Sequence, residues 1–459
     1  MRASAAVEKA NVPSVSLVCD GFIGQGAAVA KGLGLPELPI ARIPGHVDGQ
    51  SASELASGLR EVTLPGVIEH LTRMPGGTTN EPERSPGDIV ITGDFDTVND
   101  YFDQHRWSDG LPIVPPSPER VAAFLAQTTD PPERIIGALP PSGCAATVHN
   151  VAVNGVMANC RPEYMPVLIA IAEVLADPHY GVEHSGDTTG GDALIVVSGP
   201  AVSALGFNCE EGALRDGYRA NTSIGRFLRL MLRNVALSLP GDADKSTFGH
   251  TFRVVLAEHV AAAASLGWPT LAADRGFGSD ESVVTIARFT SGGTIGSIYG
   301  DDPERIATYL ADGLVRHTSW ELIFTVGFAP GTYCPMLVIS PLVARTLARA
   351  GWNKATLRER LFAHARLPAE KLERYLGEWT NFLPGQPPLT QLVAEGTAAA
   401  VFAEGESPHR LVPIVARPED FLIVISGDPN RSNAYALASN GMHGYPTSRK
   451  VRFAAESSR

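Results

Sequence analysis

Cys160 lies in Asn159-Cys160-Arg161-Pro162-Glu163. Proline suits the first position of a helix and an acid suits its first turn. The thiol is therefore expected at a helix N-terminus beside Arg161, where the helix dipole and the guanidinium both favour a thiolate. That makes Cys160 the candidate nucleophile; the plainer reading is a small residue buried between helices. His149, eleven residues upstream, is the candidate base, against an ordinary satisfied histidine. Between them Asn150 and Asn154 are four apart and share a helical face. Two amides on an apolar helix need hydrogen-bond partners once buried. They are expected to line a polar pocket near Cys160.

Ser198-Gly199-Pro200 and Ser426-Gly427 each end an apolar run. In open α/β sheets ligands sit beyond the carboxyl ends of strands. Free backbone N–H groups there can hold an anion or an oxyanion, although a tight turn has the same sequence. Asn221 opens a helix in which Arg226, Arg229 and Arg233 recur at i, i+3 and i+7. Such a row grips an acidic substrate or forms a solvated face. Glu210-Glu211 is a further acid–base candidate. Gly21-Phe22-Ile23-Gly24-Gln25-Gly26 lacks the dinucleotide order, and Asp20 would repel a pyrophosphate. The P-loop, G-x-S-x-G and H-E-x-x-H patterns are absent. The twelve histidines are dispersed and no cysteine pair is spaced CxxC, so no metal is expected.

These residues must be positioned by an α/β fold. Over 1–73 a helix at 4–10 precedes strands at 14–19 and 38–43, which alternate with helices at 23–33, 51–60 and 64–73. That rhythm implies a parallel sheet. Ser51, with Glu54 three residues on, is the expected N-cap. MPGGTTNEPERSPGD, from 74 to 88, is nearly devoid of apolar residues and reads as a linker. The expected division is a small α/β domain at 1–73, a linker at 74–90 and a larger mixed α/β domain at 91–459. Within the latter, strands are expected at 193–198, 252–258, 283–289, 321–326, 336–340 and 421–426. DALIVVSGPAVSALGF at 192–207 and DFLIVISGDPNRSNAY at 420–435 resemble each other, as a divergent duplication would.

The chain has 459 residues, 44% of them hydrophobic and 19% charged, enough for a proper core. Its net charge of −12 argues against general nucleic-acid or membrane-surface binding. No apolar run approaches about 18 residues, so no span is expected. Five scattered cysteines without an export signal indicate a reduced, cytoplasmic protein.

Four segments together resemble the Sec-Gly-Ser-Cys (UGSC) family of selenoproteins and their cysteine homologues. They are ANVPSVSLVCDGF with GLGLPELPI, WSDGLPIVPPSPERVAAFL, HNVAVNGVMANCRPEYMPVLIAIAEVL and FLIVISGD. The resemblance implies a small α/β domain bearing the motif, joined to a larger one, and thiol- or selenol-based redox chemistry. The family's motif strand lies just before the first helix, whereas this chain opens inside that helix. The motif is therefore expected upstream of Met1, through a misplaced start, the alternatives being a real truncation or a separate chain that supplies the strand. On that reading the small-domain thiol or selenol acts on a small polar or anionic substrate, held near Cys160, His149, Asn150 and Asn154. A second thiol resolves the mixed disulfide. An external thiol reductant is the implied electron donor, and no other cofactor is called for.

A second reading is a lyase or hydrolase. It uses Cys160 as nucleophile and His149 as base, with Ser198-Gly199 or Ser426-Gly427 amides stabilising an oxyanion. A third is a non-catalytic subunit, in a homo-oligomer or docked on a partner chain that supplies the missing strand.

Overall fold

Alternation of strand and helix over the first 73 residues builds the two-stranded parallel sheet that the pattern calls for. The computed structural model describes residues 1–73, 87–327, 329–380, 383, 385–405, 407, 409–439, 441 and 444–453. Of the linker expected at 74–90, residues 74–86 lie outside the described residues. Contacts gather the chain into two units. The first holds 1–159, 182–190 and 227–248; the second holds 160–181, 191–226 and 249–459.

In the first unit, α1 (Arg2–Lys9), β1 (Ser16–Cys19), α2 (Ile23–Gly32), β2 (Ile40–Ile43), α3 (Ala52–Gly58) and α4 (Leu64–Thr72) follow one another. β1 and β2 pair in parallel, with Ser16 opposite Ile40 and Cys19 opposite Ile43. Ser51 caps α3 as its spacing from Glu54 predicts, and both halves of the capping box form. The core here is small, with Ala5, Ala30 and Leu38 at its centre.

Next come α5 (Phe95–Gln104), α6 (Pro118–Leu125), the antiparallel pair β3 (Ile135–Leu139) and β4 (Cys144–Thr147), and α7 (Val148–Met157). α2 runs close against the β3–β4 turn. A Cβ on Gly32 would stand 2.0 Å from the Pro141 carbonyl oxygen, so only glycine fits there.

The second unit begins with a 3-10 turn, Pro162–Tyr164, and the almost wholly buried helix Met165–Leu175. Its strands are β5 (Asp192–Ser198), β6 (Leu256–Ala257), β7 (Val283–Ile295), β8 (Met336–Ile339), β9 (Arg366–Pro368), β10 (Leu411–Pro413), β11 (Leu422–Ile425), β12 (Ala434–Ser439) and β13 (Thr447–Lys450). β9 and β10 form a separate antiparallel pair. The others make one mixed sheet in the order β11-β8-β12-β7-β5-β6, with β13 also on β7.

Strand periodicity divides this sheet's side chains between two cores. Met336, Val338, Leu422 and Val424 enter one, with Leu194, Val196 and Phe289. Leu337, Ile339, Ile423 and Ile425 enter the other, against helices Pro303–Arg316, Pro341–Arg349 and Lys354–His364. The sheet curls until its outer strands meet. The His259 N–H donates to the Ile425 carbonyl at 2.7 Å, and the Ser426 hydroxyl donates to the Ala257 carbonyl at 2.8 Å.

The strand expected at 321–326 is instead a 3-10 turn, Trp320–Phe324. Its apolar residues fill the core, while buried Glu321 accepts from the Thr290 hydroxyl and the Ser319 N–H. Of the strand expected at 252–258, only Leu256–Ala257 pairs.

Candidate functional site

α7 starts at Thr147, whose hydroxyl oxygen accepts the Asn150 N–H at 3.1 Å. The Asn150 Oδ1 in turn accepts from the Thr147 N–H at 3.0 Å and hydroxyl at 2.8 Å. This reciprocal cap holds the first helical turn, and with it His149 and Asn150. One turn on, buried Asn154 donates from Nδ2 to the Asn150 carbonyl at 2.9 Å. Its Oδ1 accepts from the Asn234 Nδ2 at 2.8 Å. Asn234 ends the helix Arg219–Asn234, which contributes residues 227–234 to this unit.

His149, Asn150, Asn154 and Asn234 line a cavity of about 790 Å³ within the first unit. Its apolar wall includes Ile89, Ile91, Phe102, Trp107, Pro115 and Met157. Among the described lining residues none is Lys or Arg, and the one acid is Asp88. Such walls take a compact organic molecule and offer an anion no counter-charge. The His149 imidazole makes no hydrogen bond among the described residues, and burial lowers its pKa. It is neutral near pH 7 and can both donate and accept.

The structure places His149, Asn150 and Asn154 on one cavity wall, without the Cys160 that the sequence reading set beside them. Cys160 belongs to the second unit, is 5% exposed and is not among the lining residues. Pro162 does open a helical turn with Arg161 at its N-cap, as read from the sequence. The expected thiolate nevertheless fails, because burial pushes the Cys160 thiol up to about 12. The Ser223 hydroxyl and the guanidiniums of Arg219 and Arg226 pull the other way and are outweighed. Burial likewise raises Cys209 to about 11 and Cys334 to about 12.

The two Ser-Gly turns carry structural bonds. The Ser198 hydroxyl donates to the buried Glu258 carboxylate at 2.6 Å. Gly199 has φ 90°, and a Cβ there would lie 2.1 Å from the Glu281 carbonyl oxygen. The Ser426 N–H donates to the Ile339 carbonyl and the Gly427 N–H to the Cys209 carbonyl. Those two amides are therefore engaged, and the oxyanion role expected of Ser426-Gly427 does not hold.

Asn221 is buried and saturated: its Oδ1 accepts from Asn208 N–H, and its Nδ2 donates to the Asn208 and Val255 carbonyls. The arginine row divides between the units, with Arg226 in the second and Arg229 and Arg233 in the first. Arg233 is half-buried, and burial together with Arg106 lowers its pKa against Asp109 and Asp103.

Asn234, Phe102 and the residues from 87 to 93 were not read from the sequence as site residues. The 107–116 stretch, already distinctive in sequence, supplies Trp107, Pro115 and Pro116 to the wall.

No curated protein and no solved structure matches the chain. The stretches at 107–116 and 154–166 lie outside the region that a family model matches. That region is residues 1–73, which match the UGSC family, the family that the sequence of this segment resembles.

Proposed function

We propose that the chain is a small-molecule enzyme whose substrate occupies the cavity beside α7. The carrying observation is the asparagine ladder next to a neutral imidazole, without a hydrogen-bond partner among the described residues, on a largely apolar wall. His149 exchanges a proton with the substrate, and Asn150, Asn154 and Asn234 orient it. Thiol- or selenol-dependent redox chemistry is the reaction class we assign, on the UGSC match over residues 1–73. Of the polar or anionic substrates expected from sequence, the absence of Lys and Arg among the described lining residues favours a neutral polar one.

Nile red, a neutral apolar fluorophore, tests the cavity. Saturable binding is expected, and Ala122→Trp, at an exposed lining position, should abolish it. Binding that survives Ala122→Trp in a folded variant removes the cavity as the site. For the chemistry, compounds that displace Nile red are assayed for turnover with a dithiol reductant. Turnover insensitive to iodoacetamide would remove the thiol.

A further inference from the structure

We infer that the substrate is a neutral carbonyl compound with an apolar body, its oxygen held by the Asn150 Nδ2, a substrate class that rests on the cavity reading above. The backbone fixes which way the Asn150 amide faces. The Thr147 N–H can only donate, so the atom that takes it at 3.0 Å is Oδ1. The Thr147 hydroxyl donates to the same oxygen at 2.8 Å. Nδ2 is the other end of the amide, and it makes no hydrogen bond among the described residues. It is not one of the unpartnered atoms sealed from solvent, so it keeps accessible surface, on a half-buried residue that lines the cavity.

The amide oxygens of the ladder are withheld. The Asn150 Oδ1 is engaged by Thr147, and the Asn154 Oδ1 accepts from Asn234 on a residue 3% exposed. The Asn234 Oδ1 is enclosed, out of an occupant's reach. The ladder therefore shows the cavity a donor and no acceptor. An occupant that strips water from that donor must return an acceptor or lose affinity. An ammonium group brings donors alone. A carboxylate accepts, but it brings a charge that no Lys or Arg among the described lining residues offsets. A carbonyl oxygen accepts without charge, and neutral His149 beside it can donate to the same oxygen. Trp107, Phe102, Pro115 and Met157 take the apolar body.

Calorimetric titration with benzylacetone, hydrocinnamate and hydrocinnamylamine tests this at about pH 8, where the acid and the amine are ionised and His149 is neutral. The three share a body and differ in head group. Benzylacetone should bind at least about tenfold tighter than either charged analogue. In isotope-edited infrared spectra its bound carbonyl stretch should lie below the position it has in hexane, as a hydrogen bond requires. Asn150→Asp keeps an oxygen for Thr147 and exchanges the Nδ2 donor for an acceptor. It should weaken benzylacetone at least about tenfold, while N-phenylnaphthylamine, which has no carbonyl, binds as to the native protein. A stretch at its hexane position, tighter binding of either charged analogue, or benzylacetone affinity unchanged in Asn150→Asp overturns the inference and leaves the cavity reading standing. Failure of Nile red to bind the native protein overturns both. Should Asn150→Asp lose the naphthylamine as well, His149→Phe takes its place. A lowered stretch that persists there supports Asn150 as the donor, and one that disappears overturns the inference.

Discussion

Cys160 and His149 show how burial decides what a side chain can do. At 5% exposure, with its thiol raised to about 12, Cys160 is protonated at neutral pH and shielded from reagents. Iodoacetamide should modify exposed Cys144 first and reach Cys160 only after unfolding; peptide mapping of native labelled protein with Cys160 alkylated would refute this. The raised thiol also sets a pH dependence. Between the ordinary value of 9.0 and about 12 the folded state holds a proton that the unfolded state has lost. Stability therefore falls as pH rises through that window, by at most about 1.4 kcal/mol per pH unit. Urea melts at stepped pH should show the decline, and Cys160→Ala should flatten part of it. For His149 the shift is opposite: burial favours the neutral ring, and protonation below its ordinary 6.5 is resisted by the fold. Ligand binding in the cavity should be flat above pH 7 and weaken as pH falls below 6.5. A binding profile unchanged in His149→Gln would assign the titration elsewhere. At this scale the i, i+4 asparagines were legible because helical periodicity alone puts them together. Asn234 was not, because its partner Asn154 is 80 positions away and only tertiary folding joins them.

Elements announced themselves where pattern and packing agree. The small parallel sheet, the α3 capping box and the helix from Pro303 all follow their sequence signals. α5 escaped because FDTVNDYFDQ is largely polar and buries only Val98 and Phe102. β3 and β4 escaped because IIGAL and CAAT are short and small, without strand alternation. Close approach between elements gives a sharp test. Gly32→Ala would drive a methyl into the Pro141 carbonyl, and the backbone rather than a flexible side chain would have to move. We expect a loss of about 1–3 kcal/mol, read as a lower Tm, whereas Gly21→Ala, in open space, should be nearly silent. A buried ion network makes a second test. Lys354 is 1% exposed and donates to Asp274 at 2.9 Å and to the Pro269 carbonyl at 2.7 Å, with Glu258 at 3.9 Å. Lys354→Met leaves buried Glu258 without its cation, while Asp274 keeps Arg358 at 2.6 Å, and should cost roughly 3–5 kcal/mol. Adding Glu258→Gln should recover part of it, and a double variant no more stable than the single one would separate the two groups.

For the whole chain, the repeat visible in sequence and the repeat visible in topology are different repeats. DALIVVSG and DFLIVISG become β5 and β11, and each ends in a Ser-Gly turn whose glycine has positive φ. Yet in the sheet β5 corresponds to β8. The triplets β5-β6-β7 and β8-β11-β12 each run first strand central, second strand parallel on its outer side and third antiparallel on its inner side. β7 and β12 join the halves antiparallel. The sequence likeness therefore records two similar strand ends rather than equivalent positions. Surface composition follows chain order more simply. Of the exposed large hydrophobic residues, Val7, Val12, Leu17, Val47, Val62, Leu64, Ile68 and Leu71 all fall within residues 1–73. Leu64, Ile68 and Leu71 stand at i, i+4 and i+7 on α4, and Gly66, on the opposite side, approaches Ala41 of β2. The apolar face of α4 is thus the one turned away from its own sheet. Ile68→Lys with Leu71→Gln should lower anilinonaphthalenesulfonate binding and concentration-dependent light scattering. Stability should stay within about 0.5 kcal/mol, as for surface substitutions generally. A drop in Tm of several degrees would instead mean that these side chains support the fold of the segment, and that its outer face is core.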